Sequence, residues 1–368
     1  MPSNRQELDP IPTHDAVEPL PRTSNAPRPI DSPELQARLD QLVRDAGAVP
    51  GSTHERLVRD LLLSGLKLLS DGRDTGELKL IAAAVKELRH AYRVFGQYPA
   101  PHKVTIFGSA RTPRDHPDFA AAVQFGRLMA AEGWMVITGA GGGIMEAGNL
   151  GPGRERSFGV AIRLPFEQAT NDVIAGDSKL ITFRYFFTRK LMFISQSEAV
   201  ALFPGGFGTM DEGFEVLTLI QTGKASIIPI VMIEGPGGSY WSQFDQFIRA
   251  GLADRGWVSP EDLGLFTIAQ SSAHAARIIT DFYRVYHSSR YVRDDLVIRL
   301  NRPITPSDAH RLADAYRPLI ARGTISLSGP LPPEDDHLDL PRLVFTHTRR
   351  DYGLLRRLID DINLCPPP

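Results

Sequence analysis

Three short apolar runs, each ending in glycine and each followed by a helical pattern, constrain this chain more than any other feature in it. The first is KVTIF, followed by Gly108-Ser109-Ala110-Arg111. The second is WMVIT, followed by Gly139-Ala140-Gly141-Gly142-Gly143 and then Ile144-Met145-Glu146. The third is AVALF, followed by Pro204-Gly205-Gly206-Phe207-Gly208-Thr209-Met210-Asp211-Glu212. Runs that are apolar without alternation are the mark of strands buried on both faces of a parallel sheet. In an open sheet of that kind, ligands bind outside the carboxyl ends of the strands. Glycines let a ligand approach the backbone, and helix N-termini present free N–H groups to an anion.

SFGVAIRLP, KLITF and IIPIVMIEG are further strand candidates, with helical patterns between them. The rhythm from 103 to about 286 therefore predicts an α/β fold built on a doubly wound parallel sheet. With 368 residues the chain has room for about two domains at roughly 150 residues each. Residues 1–32, rich in Pro, Asp, Asn and Ser, read as a disordered arm. Residues 33–100 read as amphipathic helices, a packing or oligomerisation segment that opens on Ser32-Pro33, a helix-start signature. Residues 101–288 read as the doubly wound α/β domain, and 289–368 as a small α+β module without a cluster of ligand-type residues.

Composition removes several classes. Lys+Arg is 41 against Asp+Glu 43, a net charge of −2, which argues against a dedicated nucleic-acid binder. Cys365 is the single cysteine, so neither a disulfide framework nor a cysteine zinc site is expected within one chain. No metal-ligand cluster and no cofactor motif is evident. No apolar run approaches the roughly 20 residues of a membrane span, and the polar N-terminus lacks a secretory core, so a cytoplasmic protein is expected.

One glycine-rich turn is weak evidence of a ligand; three in one sheet favour phosphate binding. The second stretch lacks the Lys-Ser/Thr of a P-loop. It also falls on the second strand, and no acidic residue ends the strand after it, so a dinucleotide fingerprint fits poorly. Glu212 lies about one turn into the third helix, and Asp211 points roughly 100° away from it. An acidic residue so placed is ordinarily a solvent carboxylate favoured by the helix dipole, but its position inside PGGFGT shifts it toward function. Upstream, Arg189 and Lys190 interrupt the apolar run of RYFFTRKLMFIS. Such a residue either snorkels to solvent or serves as an anion or carboxylate partner.

In this order and spacing, TGAGGGIMEAGN, FFTRKLMF and PGGFGTMDE resemble the LOG ("lonely guy") family, nucleoside 5′-monophosphate phosphoribohydrolases that include cytokinin-activating members. The resemblance covers about 103–286. Pro204 to Glu212 match the pattern PGGxGTxxE in full, and Arg189-Lys190 match the upstream Arg-Lys. The flanking segments are similar to extended bacterial members, some of them purine or pyrimidine nucleotide nucleosidases of the AMP nucleosidase type and often labelled lysine decarboxylases. Nothing around Lys190 marks a pyridoxal phosphate pocket.

The resemblance implies a Rossmann-like fold, a homo-oligomer with its site near the subunit interface, and Arg189 and Glu212 as the catalytic pair. It implies that Gly206, Gly208 and Thr209 cradle a 5′-phosphate and that Gly141, Gly142, Gly143 and Glu146 line the nucleotide site. Ser109, Lys190 and Gly205 complete the candidate binding set. The implied reaction is hydrolysis of the N-glycosidic bond of a nucleoside 5′-monophosphate, with no cofactor, metal, nucleic acid or membrane. The alternative is a non-catalytic nucleotide sensor or molybdenum-cofactor carrier on the same fold, which needs the phosphate loop but no catalytic carboxylate.

Overall fold

The computed structural model describes residues 29–164, 169–332 and 334–368. The chain forms two compact units, one up to Glu87 and one from Leu88 onward.

Of the arm expected over 1–32, residues 1–28 lie outside the described residues. Its last residues differ from that expectation. Pro29–Asp31 form a 3-10 turn, Ile30 is buried, and the Ile30 carbonyl accepts from Gln36 Nε2 at 2.6 Å. An apolar side chain with somewhere to pack offsets the entropy of ordering so short a segment. Helix α1 (Pro33–Asp45) begins where Ser32-Pro33 places it, with Ser32 Oγ accepting from the Leu35 amide. It buries Leu39 and Val43. Helix α2 (Thr53–Ser70) is capped in the same way by Ser52. Helix α3 (Thr75–Phe95) follows, and its last turns belong to the second unit. There Ala91, Val94 and Phe95 are buried, and the Phe95 ring stacks on Phe158 at 4.6 Å.

The second unit opens with β1 (Lys103–Phe107), α4 (Pro117–Ala131), β2 (Met135–Thr138), α5 (Ile144–Leu150), β3 (Ser157–Ile162) and β4 (Leu180–Phe183). It continues through α6 (Phe186–Ser195), β5 (Ala199–Leu202), α7 (Phe207–Gln221), β6 (Ile230–Met232), α8 (Tyr240–Phe247), β7 (Phe266–Ile268) and α9 (Ser272–Phe282). The seven strands form one parallel sheet in the order β4-β3-β2-β1-β5-β6-β7. The α/β fold is thus the one the sequence rhythm predicts. Alternate residues of a strand go to opposite faces: Val104 and Ile106 of β1, with Ala199 and Ala201 of β5, enter one apolar layer, and Phe107, Val200 and Leu202 the other. Both faces are covered by helices, which is why these strands lack alternation.

The connectivity reverses between β1 and β5. From β1 the chain winds out through β2, β3 and β4, then returns to β5 and winds the other way. A crevice opens at such a switch point, outside the carboxyl ends of the two strands.

The remainder is β8 (Tyr286–Val292), β9 (Asp295–Leu300), α10 (Pro306–Ala315), β10 (Ile320–Ser328), β11 (Arg342–His347) and α11 (Tyr352–Leu364), with an antiparallel sheet ordered β10-β11-β9-β8. Strands β7 and β8 escape the sequence reading. β7 has only three residues, and β8 (YHSSRYV) is polar, with just Tyr286 and Val292 buried. This sheet shares an apolar cluster with the parallel one: Leu296, Leu355 and Ile359 belong to the same core as Val216 and Ile230.

Asn363 ties α11 to the end of α9 and the start of β8. Its Oδ1 accepts from the amides of Val285 and Tyr286, and its Nδ2 donates to the carbonyls of Phe282 and Ile359. All of these groups are buried. Asn363→Ala leaves two buried amides without acceptors, at about 1–3 kcal/mol each. We expect a loss of about 2–4 kcal/mol in urea unfolding; a change below about 0.5 kcal/mol would show that the tie carries no weight.

Candidate active site

The three glycine loops meet at the switch point through backbone bonds. Ser109 N–H donates to the Pro204 carbonyl at 3.0 Å, joining the first loop to the third. Ile144 N–H donates to the Ser109 carbonyl at 3.0 Å, joining the second to the first. Ser109 therefore sits at the junction, and its Oγ accepts from the Arg111 amide.

The glycines divide into two kinds. A Cβ at Gly108 would stand 2.6 Å from Ile144, one at Gly143 2.3 Å from the Ser109 carbonyl oxygen, and one at Gly205 2.1 Å from Thr209 Oγ1. Gly143 also has φ +60° with ψ −129°, outside the ordinary range of L residues. These three are glycine so that the loops can touch. At Gly206 and Gly208 a Cβ would meet none of the described residues within 4 Å. Those two stand open at the N-terminus of α7, where the first N–H groups of a helix have no intrahelical partner. Of the third motif, this pair is the part left open. Thr209 is buried with its hydroxyl against Gly205, and its amide donates to the Gly206 carbonyl.

Side chains hold the second loop from below. Thr138 Oγ1 donates to Asn149 Oδ1 at 2.7 Å and accepts from the Ala140 amide. Asn171 Nδ2 donates to the Gly141 carbonyl and to Asn149 Oδ1, while its amide donates to the Ala140 carbonyl. This network fixes Gly141 to Gly143 and keeps Ala140 at φ +62°. Tyr240 likewise donates its hydroxyl to the Gly205 carbonyl at 2.5 Å. Asn149, Asn171 and Tyr240 were not read from the sequence. A single Asn or Tyr carries no signal when, as for Asn171 and Tyr240, its backbone partner lies 30 or 35 residues away.

Glu212 and Asp211 part as helix geometry requires: Glu212 is 6% exposed, and the Asp211 side chain lies in solvent. Burial pushes the Glu212 carboxyl up to about 7, against the opposing pull of Lys190 and Arg189. Its Oε2 is buried without a hydrogen bond, and Lys190 Nζ stands 3.8 Å away. Lys190 itself is encircled, at 2.8 Å from Asp211 and 2.6 Å from Glu215. Its charge is thereby committed to carboxylates.

Arg189 forms no ion pair with Glu212. Its Nε donates to the Val160 carbonyl at 2.8 Å, and its guanidinium lies over the Phe193 ring. A Cβ at Gly139 would stand 2.5 Å from Arg189 Nη2, so the glycine makes room for the arginine. Burial lowers the Arg189 pKa to about 10, and the Glu212 charge opposes the shift. Glu146, at the start of α5, pairs with Arg114 of the first loop. Among the described residues, no group of three or more His, Cys, Asp or Glu is placed to hold a metal ion, and no helix is long and apolar enough to cross a membrane.

Comparison with known proteins adds to this geometry. A family model described as "possible lysine decarboxylase" matches residues 140–279. A cytokinin riboside 5′-monophosphate phosphoribohydrolase from Mycobacterium tuberculosis is 29% identical over 161 residues, 42% of this chain and 82% of that protein. An uncharacterized protein from Archaeoglobus fulgidus is 31% identical over 123 residues, 33% of this chain and 78% of that one. Among solved structures, the molybdenum cofactor binding protein of Rippkaea orientalis aligns with 50% of this chain and 97% of its own, at 21% identity and a TM-score of 0.36.

The raised Glu212 pKa has a signed consequence. A carboxyl that titrates near 7 when folded and near its ordinary 4.5 when unfolded holds its proton more tightly in the native state. Stability is therefore lost as pH rises from about 4.5 to 7. Glu212→Gln removes that loss. We expect the variant to gain up to roughly 3 kcal/mol over the parent at pH 8 and almost nothing at pH 4.5, by denaturant unfolding. A difference independent of pH would contradict the assignment.

Proposed function

The chain belongs to the LOG family, and from that premise we propose that it hydrolyses the N-glycosidic bond of a nucleoside 5′-monophosphate to free base and ribose 5-phosphate. The observation that carries the reading is a buried carboxyl, Glu212, which burial pushes up to about 7, on the same helix whose open N-terminus, at Gly206 and Gly208, suits a phosphate.

Breaking the bond from C1′ to the base builds positive charge on the ribose ring. An ionised Glu212 stabilises that charge and accepts a proton from the water whose oxygen bonds to C1′. The proton then passes to the departing base, so one water is consumed and the carboxylate is restored. A pKa near 7 suits both capture and return. Arg189 offers its terminal nitrogens, since Nε is committed to Val160. Lys190 offsets the negative charge of Asp211, Glu212 and Glu215. With its amine so engaged, the decarboxylase description of the family model gains no support from this lysine.

Phe186, Phe187 and Leu191 of α6, with Phe207 and Phe214 of α7, are exposed around the site, Phe207 almost wholly. Such a patch favours the homo-oligomer with its site near the interface that the family resemblance implies. We place the protein in the cytoplasm, as the sequence reading does.

The experiment is a panel of nucleotides and nucleosides incubated with pure protein, reading released base. Charge-assisted hydrogen bonds contribute roughly 1.5–3 kcal/mol each, so monophosphates should be cleaved orders of magnitude faster than nucleosides. Equal rates on AMP and adenosine would remove the phosphate assignment.

On the best substrate, Glu212→Gln should lower kcat by about 10²-fold or more with binding retained. Asp211→Asn, which changes the same charge on the solvent side, should cost far less. Near-normal turnover in Glu212→Gln would overturn the catalytic assignment.

A further inference from the structure

Helix α2 has eighteen residues and buries none of them. Its leucines nevertheless form a stripe: Leu57, Leu61 and Leu69 are more than half exposed, and Val58, Leu62 and Leu66 more than a third. Ion pairs join α2 to α1. Arg59 reaches Asp40 at 2.5 Å and also Gln36, and Glu55 accepts from Arg44 at 2.9 Å. These ion pairs join the hairpin alongside the buried Leu39 and Val43 of α1, while the leucine stripe of α2 stays exposed. These six side chains expose on the order of 500 Å² of apolar surface, at the upper end of what a lone monomer carries. A standard interface buries roughly 800 Å² per partner around an apolar centre with a polar rim.

Gly65 lies on this stripe, in the interior of the helix. A Cβ there would meet none of the described residues within 4 Å, and its φ is not positive. Neither backbone conformation nor packing against the described residues accounts for a residue that weakens the helix. Close approach of another helix does. A residue near a two-fold axis meets its own copy, so one glycine there opens both sides of a self-complementary contact.

We propose that α2 pairs with α2 of a second copy of this chain, crossing near Gly65, with Leu61 and Leu62 on one side of the crossing and Leu66 and Leu69 on the other. The contact is independent of the reaction proposed above and separate from the aromatic patch around the site.

The test compares the full chain with Gly65→Leu by sedimentation velocity across a hundredfold range of concentration. Leucine favours the helix and meets no described residue there, so helicity should hold or rise while self-association weakens at least about tenfold and the assembly mass halves. Leu61→Glu should lower the mass in the same way. Hydrogen exchange provides the local readout: the amides of α2 should slow as protein concentration rises in the parent and not in Gly65→Leu. An unchanged mass in Gly65→Leu would overturn the proposal. So would α2 protection that ignores concentration, because the stripe would then be covered by another part of the same chain. A monomeric parent at 10–100 μM would overturn it as well, leaving a different protein as the occupant.

Discussion

The bond from Ser109 N–H to the Pro204 carbonyl joins two loops that lie almost a hundred residues apart in the chain. It is possible because β1 and β5 are neighbours whose connections leave in opposite directions. It closes to an ordinary 3.0 Å because Gly205 has no Cβ to crowd the Ser109 amide. Through it, the N-terminus of α7 is fixed relative to the first loop. Through the Ile144 amide on the Ser109 carbonyl, the second loop is fixed as well. The thirteen residues from Pro204 to Val216 thereby carry the open glycines and Glu212 on one rigid piece. The geometry of a site on rigid elements costs little to maintain when a ligand arrives.

The electrostatics follow from that placement. Helix α7 turns Glu212 inward under the loops and Asp211 outward. Burial makes ionisation of Glu212 expensive, and the two nearby cations offset only part of the cost. Lys190 is too surrounded by carboxylates, and Arg189 too engaged with Val160 and Phe193, to neutralise Glu212 outright. The outcome is a carboxyl poised between its two protonation states at neutral pH. That is the condition for both taking and returning a proton.

Much of this was legible in the sequence, because the strongest signals are local. Unalternating strands, glycines at strand ends and the Ser-Pro start of α1 each depend on neighbours a few residues away. The separation of Glu212 from Asp211 follows from helix pitch alone. What escaped is of two kinds. Contacts over long sequence separations, such as Asn171 to Gly141 or Tyr240 to Gly205, join a side chain to a backbone group and leave no mark in composition. The direction of a charge is the other kind. The sequence leaves open whether Arg189 or Lys190 meets solvent, ligand or carboxylate, and the structure gives Lys190 to three carboxylates and Arg189 to a carbonyl. Glycine's two roles were also merged: Gly108, Gly143 and Gly205 serve loop contact, whereas Gly206 and Gly208 stay open. The β8 strand was hidden by its polar face, and the exposed stripe of α2 looked, as a pattern, like any amphipathic helix.

The central claim is that burial in the loop-anchored helix holds the Glu212 carboxyl near pH 7, and a titration of that carboxyl tests it most directly. Carbon-13 spectra of protein labelled at glutamate side chains, with the Glu212→Gln spectrum to assign the resonance, report its protonation from pH 4 to 9. The account predicts a midpoint near 7 for this one resonance. A midpoint near 4.5 would mean that the carboxylate is solvated or paired in solution, and the account of the site would fail at its base.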